Sequence, residues 1–130
     1  MLKKIQRAML VDDNEADNVF HEIMITRSGA VDDVVVAESG FEALDYLKKP
    51  DSPDIDLIFL DINMPGMNGF EFLEQFATLS QRHPAAVVVM LTSSPSAEDH
   101  ERARRYPAIK AYMTKPLSAE ATAKLIDQFF

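Results

Sequence analysis

Leu57-Ile58-Phe59-Leu60-Asp61 runs four apolar residues straight into a carboxylate, and the fold follows from how that run is read. An apolar run this short has the length of a strand, and apolarity on both faces suits the buried centre of a parallel sheet. A charged residue closing such a run is costly unless it meets water or a cation. Asp61 is therefore expected at the carboxyl end of a central strand, facing a polar opening.

Working outward, four more short apolar runs read as strands: Ala8 to Val11, Val34 to Ala37, Ala86 to Leu91 and Ile109 to Met113. Amphipathic segments alternate with them, the pattern of a repeating βα unit, and five units fit the chain. Asn14 to Ser28 places Ala16, Val19, Phe20, Ile23 and Met24 at helical spacing, which predicts that this face turns inward before Gly29 stops the helix. Phe41, Leu44 and Leu47 line a second helix ending before Pro50. The third starts at Asn68, an N-cap with Glu71 three residues on, and buries Phe72, Leu73 and Phe76. Ser96 caps the fourth, with Asp99 at the reciprocal position, but Glu98 to Arg105 has little beyond Ala103 to bury, so it should be loosely held. The fifth runs from Ser118 to the C-terminus with Leu125, Ile126 and Phe129 inward, and with nothing after it no output domain is expected. The class is α/β, a doubly wound (βα)5 three-layer sandwich forming a single domain over residues 1–130.

Composition narrows the chemistry. Thirteen Lys and Arg against twenty-one Asp and Glu give a net charge of −8, which opposes attraction to nucleic acid phosphates or anionic lipid. There is no cysteine, so a disulfide framework, a thiolate metal site and a thiol nucleophile are all excluded. The N-terminus has no apolar signal region and no stretch approaches membrane-spanning length, so the chain reads as soluble and cytoplasmic. His21, His83 and His100 fall on a helix, a loop and a polar helix; they form no metal set and are expected at the surface.

Ligands of open parallel α/β sheets bind outside the carboxyl ends of the strands. Asp12 and Asp13 follow the first strand, Asp61 the third, Thr92 the fourth and Lys115 the fifth, so all five should converge on one edge. At about 4 Å and an effective dielectric near 20, each pair of carboxylates repels by about 4 kcal/mol, so the cluster needs a cation. Hard oxygen ligands select Mg²⁺ or Mn²⁺. Asp61 can then act as a nucleophile toward a phosphoryl group, while Lys115 and the Thr92 hydroxyl are suited to neutralising charge on its oxygens. Taken singly, Asp12 and Asp13 read as charges favoured by a helix N-terminus, Thr92 as a strand-end hydroxyl and Lys115 as a solvated charge; their positions relative to Asp61 are what raise them.

The runs Val11-Asp12-Asp13, Leu60-Asp61-Ile62-Asn63-Met64-Pro65-Gly66-Met67-Asn68-Gly69, Leu91-Thr92-Ser93 and Lys115-Pro116 closely resemble the signature blocks of the response-regulator receiver family, in order and over essentially the whole chain. Each block is common alone; jointly, at successive strand ends, they are specific. The resemblance implies a CheY-like, flavodoxin-like fold with sheet order 2-1-3-4-5. It also implies direct Mg²⁺ ligation by Asp13 and Asp61, the backbone carbonyl of Asn63 as a further ligand, and Asp12 acting largely through water. Asp61 becomes the phospho-acceptor, Lys115 the partner of the phosphoryl oxygens, and Thr92 the hydroxyl that moves onto the phosphate, with Tyr112 at the family's aromatic switch position. Ser93 leaves the phosphoryl group accessible, Asn63 and Ser94 match positions that tune the lifetime of the phosphate, and Lys115-Pro116 matches a cis peptide.

The function so implied is a phosphorylation switch of two-component phosphorelay signalling, not an enzyme with a separate substrate. It takes a phosphoryl group from a phosphohistidine of a sensor histidine kinase or histidine phosphotransfer protein, changes its partner-binding face and dephosphorylates itself. The resemblance puts that face on the fourth helix, fifth strand and fifth helix, beside the basic run Arg102, Arg104 and Arg105. A constitutive adaptor with a receiver fold is the rival reading, and its usual mark, loss of an acidic, Thr or Lys position, is not met. A flavodoxin-type carrier shares the architecture, but Asp12-Asp13-Asn14-Glu15 would repel the phosphate of FMN.

Overall fold

A computed structural model describes residues 3–79, 86–93 and 96–130. Strands β1 (Ile5–Val11), β2 (Val31–Ala37), β3 (Leu57–Leu60), β4 (Val87–Thr92) and β5 (Ile109–Thr114) alternate with helices α1 (Glu15–Arg27), α2 (Gly40–Lys48), α3 (Gly69–Ala77), α4 (Ala97–Ala103) and α5 (Ala119–Phe129). The strands form one parallel sheet in the order β2-β1-β3-β4-β5. This is the doubly wound flavodoxin-like arrangement, with the connections reversing between β1 and β3.

Because side chains alternate across a strand, the central strands feed two separate cores. Met9, Val11, Ile58, Leu60, Val88 and Met90 face one layer, where Leu44 and Leu47 of α2, Phe72 and Phe76 of α3 and Ala103 of α4 cover them. Ala8, Leu10, Leu57, Phe59, Val89 and Leu91 face the other, beneath Ile25 of α1 and Leu125 and Ile126 of α5. Strand β3 is buried along its whole length, as its composition requires. Each helix N-terminus has a side-chain cap, from Asn14, Ser39, Asn68, Ser96 and Ser118, and Asn68 with Glu71 closes a full capping box.

Several boundaries and faces differ from the sequence expectation. β1 and β2 each begin three residues earlier, because pairing continues through polar residues: Ile5 lies opposite Val31 and Arg7 opposite Asp33, where a 2.9 Å ion pair joins the two side chains. β4 is shifted one residue onward and β5 runs one residue further, so that Thr92 and Thr114 pair at the strand ends. The face of α1 is the main correction. Asn18, His21 and Ile25 point inward, while Val19, Phe20 and Ile23 are 57%, 44% and 45% exposed and Ala16 also faces out. The helix is rotated about its axis because the Asn18 amide donates to the backbone carbonyl of Asp12 at 2.9 Å, fixing a polar residue against the end of β1. Of the expected apolar stripe, Met24 alone is part-buried. Phe41 is likewise 55% exposed, its ring leaning on Gly66, whereas Ala43, Leu44 and Leu47 fill the α2 interface. Helix α4 is short and buries Ala103, in keeping with a weakly held element.

Phe72→Ala should destabilise the protein by about 3–5 kcal/mol, because it opens a cavity beside Phe76 in a fully buried layer. Phe20→Ser should stay within about 0.5 kcal/mol of the parent, as expected for an exposed position. Urea unfolding of the two variants checks both, and a large loss in Phe20→Ser would restore the inward face that periodicity alone suggests.

Candidate functional site

The carboxyl ends of β1, β3, β4 and β5 bring the predicted residues to one edge. Asp12, the residue after β1, is 4% exposed; its Oδ1 accepts the Asn14 N–H at 3.0 Å. Asp13 beside it faces solvent. Asp61 follows β3, is 7% exposed, and is tied to the sheet by its own N–H, which donates to the Val11 carbonyl at 3.0 Å. The nearby backbone N–H groups of Ile62 and Asn63 favour its charged form. One oxygen from each of Asp12, Asp13 and Asp61 falls within 4.8 Å of the others.

Gly69 makes this loop possible. A Cβ there would lie 2.6 Å from the Asp61 carbonyl oxygen and 3.1 Å from the Ile62 Cα, both backbone atoms that cannot step aside. Without that side chain, α3 starts close beneath the loop and the Gly69 N–H donates to the Ile62 carbonyl at 2.8 Å.

Lys115 enters from the end of β5. Its N–H donates to the Thr92 carbonyl at 2.8 Å, and the Lys115–Pro116 peptide is cis. Its Nζ lies 2.6 Å from Asp12 Oδ2, 2.9 Å from Asp17 Oδ2 and 3.9 Å from Asp61 Oδ2. Thr92 is fully buried at the end of β4, and Ser93 and Asn63 are exposed on the flanking loops. Tyr112 is half-buried, with its ring edge-on to His100 at 4.8 Å and its hydroxyl buried without a hydrogen-bond partner. Ser94 and His83 lie outside the described residues.

Two neighbours of the site were not expected from sequence. Asp17 joins Lys115 from the first turn of α1, and His21 is buried behind the site rather than at the surface. Burial and the nearby Lys115 ammonium hold the His21 imidazole below its usual pKa, against the pull of Asp17 and Asp12, so it is neutral and could be buried by the rotation of α1. The signal for Asp17 is its place one helical turn after the Asp12-Asp13 pair, where a helix starting at the strand end returns its first turn to that end. His100 is at the surface, as expected.

Three carboxylates, Asp12, Asp17 and Asp61, therefore share one ammonium, and Asp13 adds a fourth negative charge beside Asp12 and Asp61. Burial raises the pKa of Asp61 to about 6, and the Asp12 charge adds to that; Lys115 and the two backbone N–H groups oppose it. Burial also works against the Lys115 ammonium, but its bonds to Asp12 and Asp17 and the Asp61 charge win, and its pKa is raised. The site is short of positive charge, and oxygen donors at this spacing suit a hard divalent cation.

Residues 8–127 match the family model for the response regulator receiver domain. The chain belongs to that family. A solved two-component response regulator from Cytophaga hutchinsonii superposes on this receiver domain with a TM-score of 0.86 at 27% identity, covering 98% of each chain. Protein PilH of Pseudomonas aeruginosa is 30% identical over 93% of this chain and 94% of its own length. Sensor histidine kinase GacS of Pseudomonas protegens is 26% identical over 92% of this chain, which spans 13% of the kinase. The protein is a receiver domain of the response-regulator kind, a signalling domain, and its acidic pocket of Asp12, Asp13 and Asp61 fits a phospho-acceptor site. Among the described residues no helix is long and apolar enough to cross a membrane.

The raised pKa of Asp61 has a sign that can be measured. Between pH 4 and 6 the native receiver keeps a proton that the unfolded chain has released, so ionising Asp61 costs stability as pH rises. In metal-free buffer Asp61→Asn should be more stable than wild type at pH 7–8, by on the order of 2–3 kcal/mol, with the margin shrinking as pH falls from about 6 toward 4. Urea titrations across that range read it; a margin independent of pH would contradict a strained carboxylate.

Proposed function

We propose that Asp61 is the phospho-acceptor of a two-component phosphorelay. The observation that carries this is a buried carboxylate at a strand end, crowded by Asp12 and Asp13 and within 3.9 Å of the Lys115 ammonium. An Asp61 oxygen attacks the phosphorus of a phosphohistidine; the P–N bond breaks, its electron pair leaves with the imidazole nitrogen, and an acyl phosphate forms. The donor is a sensor histidine kinase or a histidine phosphotransfer protein. The similarity to part of GacS, itself named a sensor histidine kinase, supports a partner of that kind.

Asp12, Asp13 and Asp61, with the backbone carbonyl of Asn63, are the residues that would hold Mg²⁺ or Mn²⁺. The donor set supports this: every side-chain ligand is a carboxylate, and their mutual repulsion is relieved by a divalent charge. When bound, the metal neutralises charge on the phosphoryl oxygens. Lys115 shares that task, because its chain position at the end of β5 aims the ammonium into the carboxylate cluster. Thr92 supplies its hydroxyl to the phosphoryl group. Tyr112 rearranges with it; a buried hydroxyl without a partner costs about 1–3 kcal/mol, so the resting pose is one it can leave. Water attack on the acyl phosphate ends the signal, with Asn63, Ser93 and Ser94 setting its access.

The output is a changed surface on α4, β5 and α5, read by another protein in the cytoplasm. Two features support this choice of face: α4 is anchored chiefly through Ala103, and a groove of about 350 Å³ runs between Lys110, Met113, Lys124 and Phe129. The net charge of −8 disfavours direct binding to nucleic acid or membrane.

Acetyl phosphate with Mg²⁺ should label the wild type and leave Asp61→Asn unlabelled, read by intact mass or a phosphate-affinity gel. Label retained in Asp61→Asn overturns the assignment. Millimolar Mg²⁺ should also raise the melting temperature of the wild type, more so at higher concentration, and raise that of Asp13→Asn less.

A further inference from the structure

The Lys115 ammonium is divided unevenly among three carboxylates, and one of them belongs to a helix rather than to the strand-end cluster. Its short bonds go to Asp12 at 2.6 Å and Asp17 at 2.9 Å, whereas Asp61 stands at 3.9 Å, outside hydrogen-bond distance. An ammonium has three donors, and two of them are spent away from Asp61. We propose that Asp17 is a positioning residue that latches Lys115 toward α1 in the unphosphorylated protein and gives it up when a phosphoryl group occupies Asp61. The latch rests on the reading of Asp61 as phospho-acceptor.

Three features make Asp17 the partner that yields. It is held rigidly, since it sits in the first turn of α1 and its N–H donates to the Asn14 side chain at 3.0 Å. Its side chain is 38% exposed, so water can replace the ammonium, whereas the Asp12 side chain is 6% exposed and would be left as an unpaired buried charge. A phosphoryl group on Asp61 brings acceptor oxygens and replaces the single carboxylate charge with up to two negative charges on the side of Lys115 where no short bond now exists. Competition between Asp17 and that group is then a two-state equilibrium, and each state is favoured by what it offers the same ammonium.

The latch also gives α1 a stake in the outcome. Asp17 leads the helix whose outer face carries Val19, Phe20 and Ile23, and its bond to Lys115 ties that helix's first turn to the end of β5. Release of Lys115 removes the tie.

The experiment is a titration with beryllofluoride in the presence of Mg²⁺, on the full chain. Asp17→Asn keeps the size and the helix position but loses the charge that holds the ammonium; Asp17→Ser is a second, smaller variant. Both should bind beryllofluoride about fivefold more tightly than wild type, the scale of a partly exposed ion pair. Glu15→Gln, on the same helical turn, removes an equal charge and should change binding by less than about twofold, because exposed charges beyond contact are screened. A merely supporting Asp17 predicts the opposite sign, since loosening α1 weakens the site. Equal or weaker binding by both Asp17 variants overturns the latch while leaving the phospho-acceptor assignment standing, and so does a Glu15→Gln effect as large as theirs. A wild type that binds no beryllofluoride with Mg²⁺ overturns that assignment, and the latch with it.

Discussion

The structure is organised by a charge imbalance: the ammonium of Lys115 is shared by Asp12, Asp17 and Asp61, with Asp13 crowding the same strand ends. In a buried setting like charges at these distances cost several kcal/mol, so the cluster persists only where the surrounding fold fixes it. The parallel sheet supplies that constraint. Asp12 and Asp61 hang from adjacent strands whose backbone is hydrogen-bonded right up to the site, and Lys115 hangs from β5 through a bond to the Thr92 carbonyl. The backbone at each of these residues is therefore fixed at the sheet edge, and relief is confined to side-chain rotation. The strain appears on Asp61, whose proton is held up to about pH 6.

The rest of the molecule reads as what is needed to hold that edge. Two apolar layers, one on each side of the sheet, clamp the central strands, and β3 is buried on both faces. Gly69 lets α3 begin against the loop that carries Asp61, so the backbone of Asp61 is braced from below. The α4 side is held more loosely, with Ala103 as its buried anchor and Tyr112 carrying an unpaired hydroxyl nearby. A rigid site beside a weakly anchored helix is the arrangement in which a local charge change can alter a distant surface.

Helix α1 shows a local preference overridden by the site. Its apolar residues would prefer the core, yet Asn18, His21 and Ile25 occupy the inner face and Val19, Phe20 and Ile23 are left outside. The bond that Asn18 donates to the Asp12 carbonyl and the bond that Asp17 accepts from Lys115 both act in the first turn and set the rotation of everything after it. His21 is accommodated because it is neutral. The apolar face left in water is a consequence of where the polar residues are needed.

The sequence by itself determined the α/β class, the five βα units, the caps Asn68 and Ser96 and the strand ends carrying Asp12, Asp13, Asp61, Thr92 and Lys115. Those features were legible because they are local: an apolar run bounded by a charge, or a capping residue before a helix, has one reading wherever it sits. Tertiary structure alone decided the rotation of α1, the burial of His21, the exposure of Phe41 and the recruitment of Asp17 by Lys115. Residues 17 and 115 are far apart in sequence, and no periodicity records a bond between a helix turn and a strand end. Their meeting depends on the register of five strands and on a competition between polar and apolar faces that only the folded chain resolves.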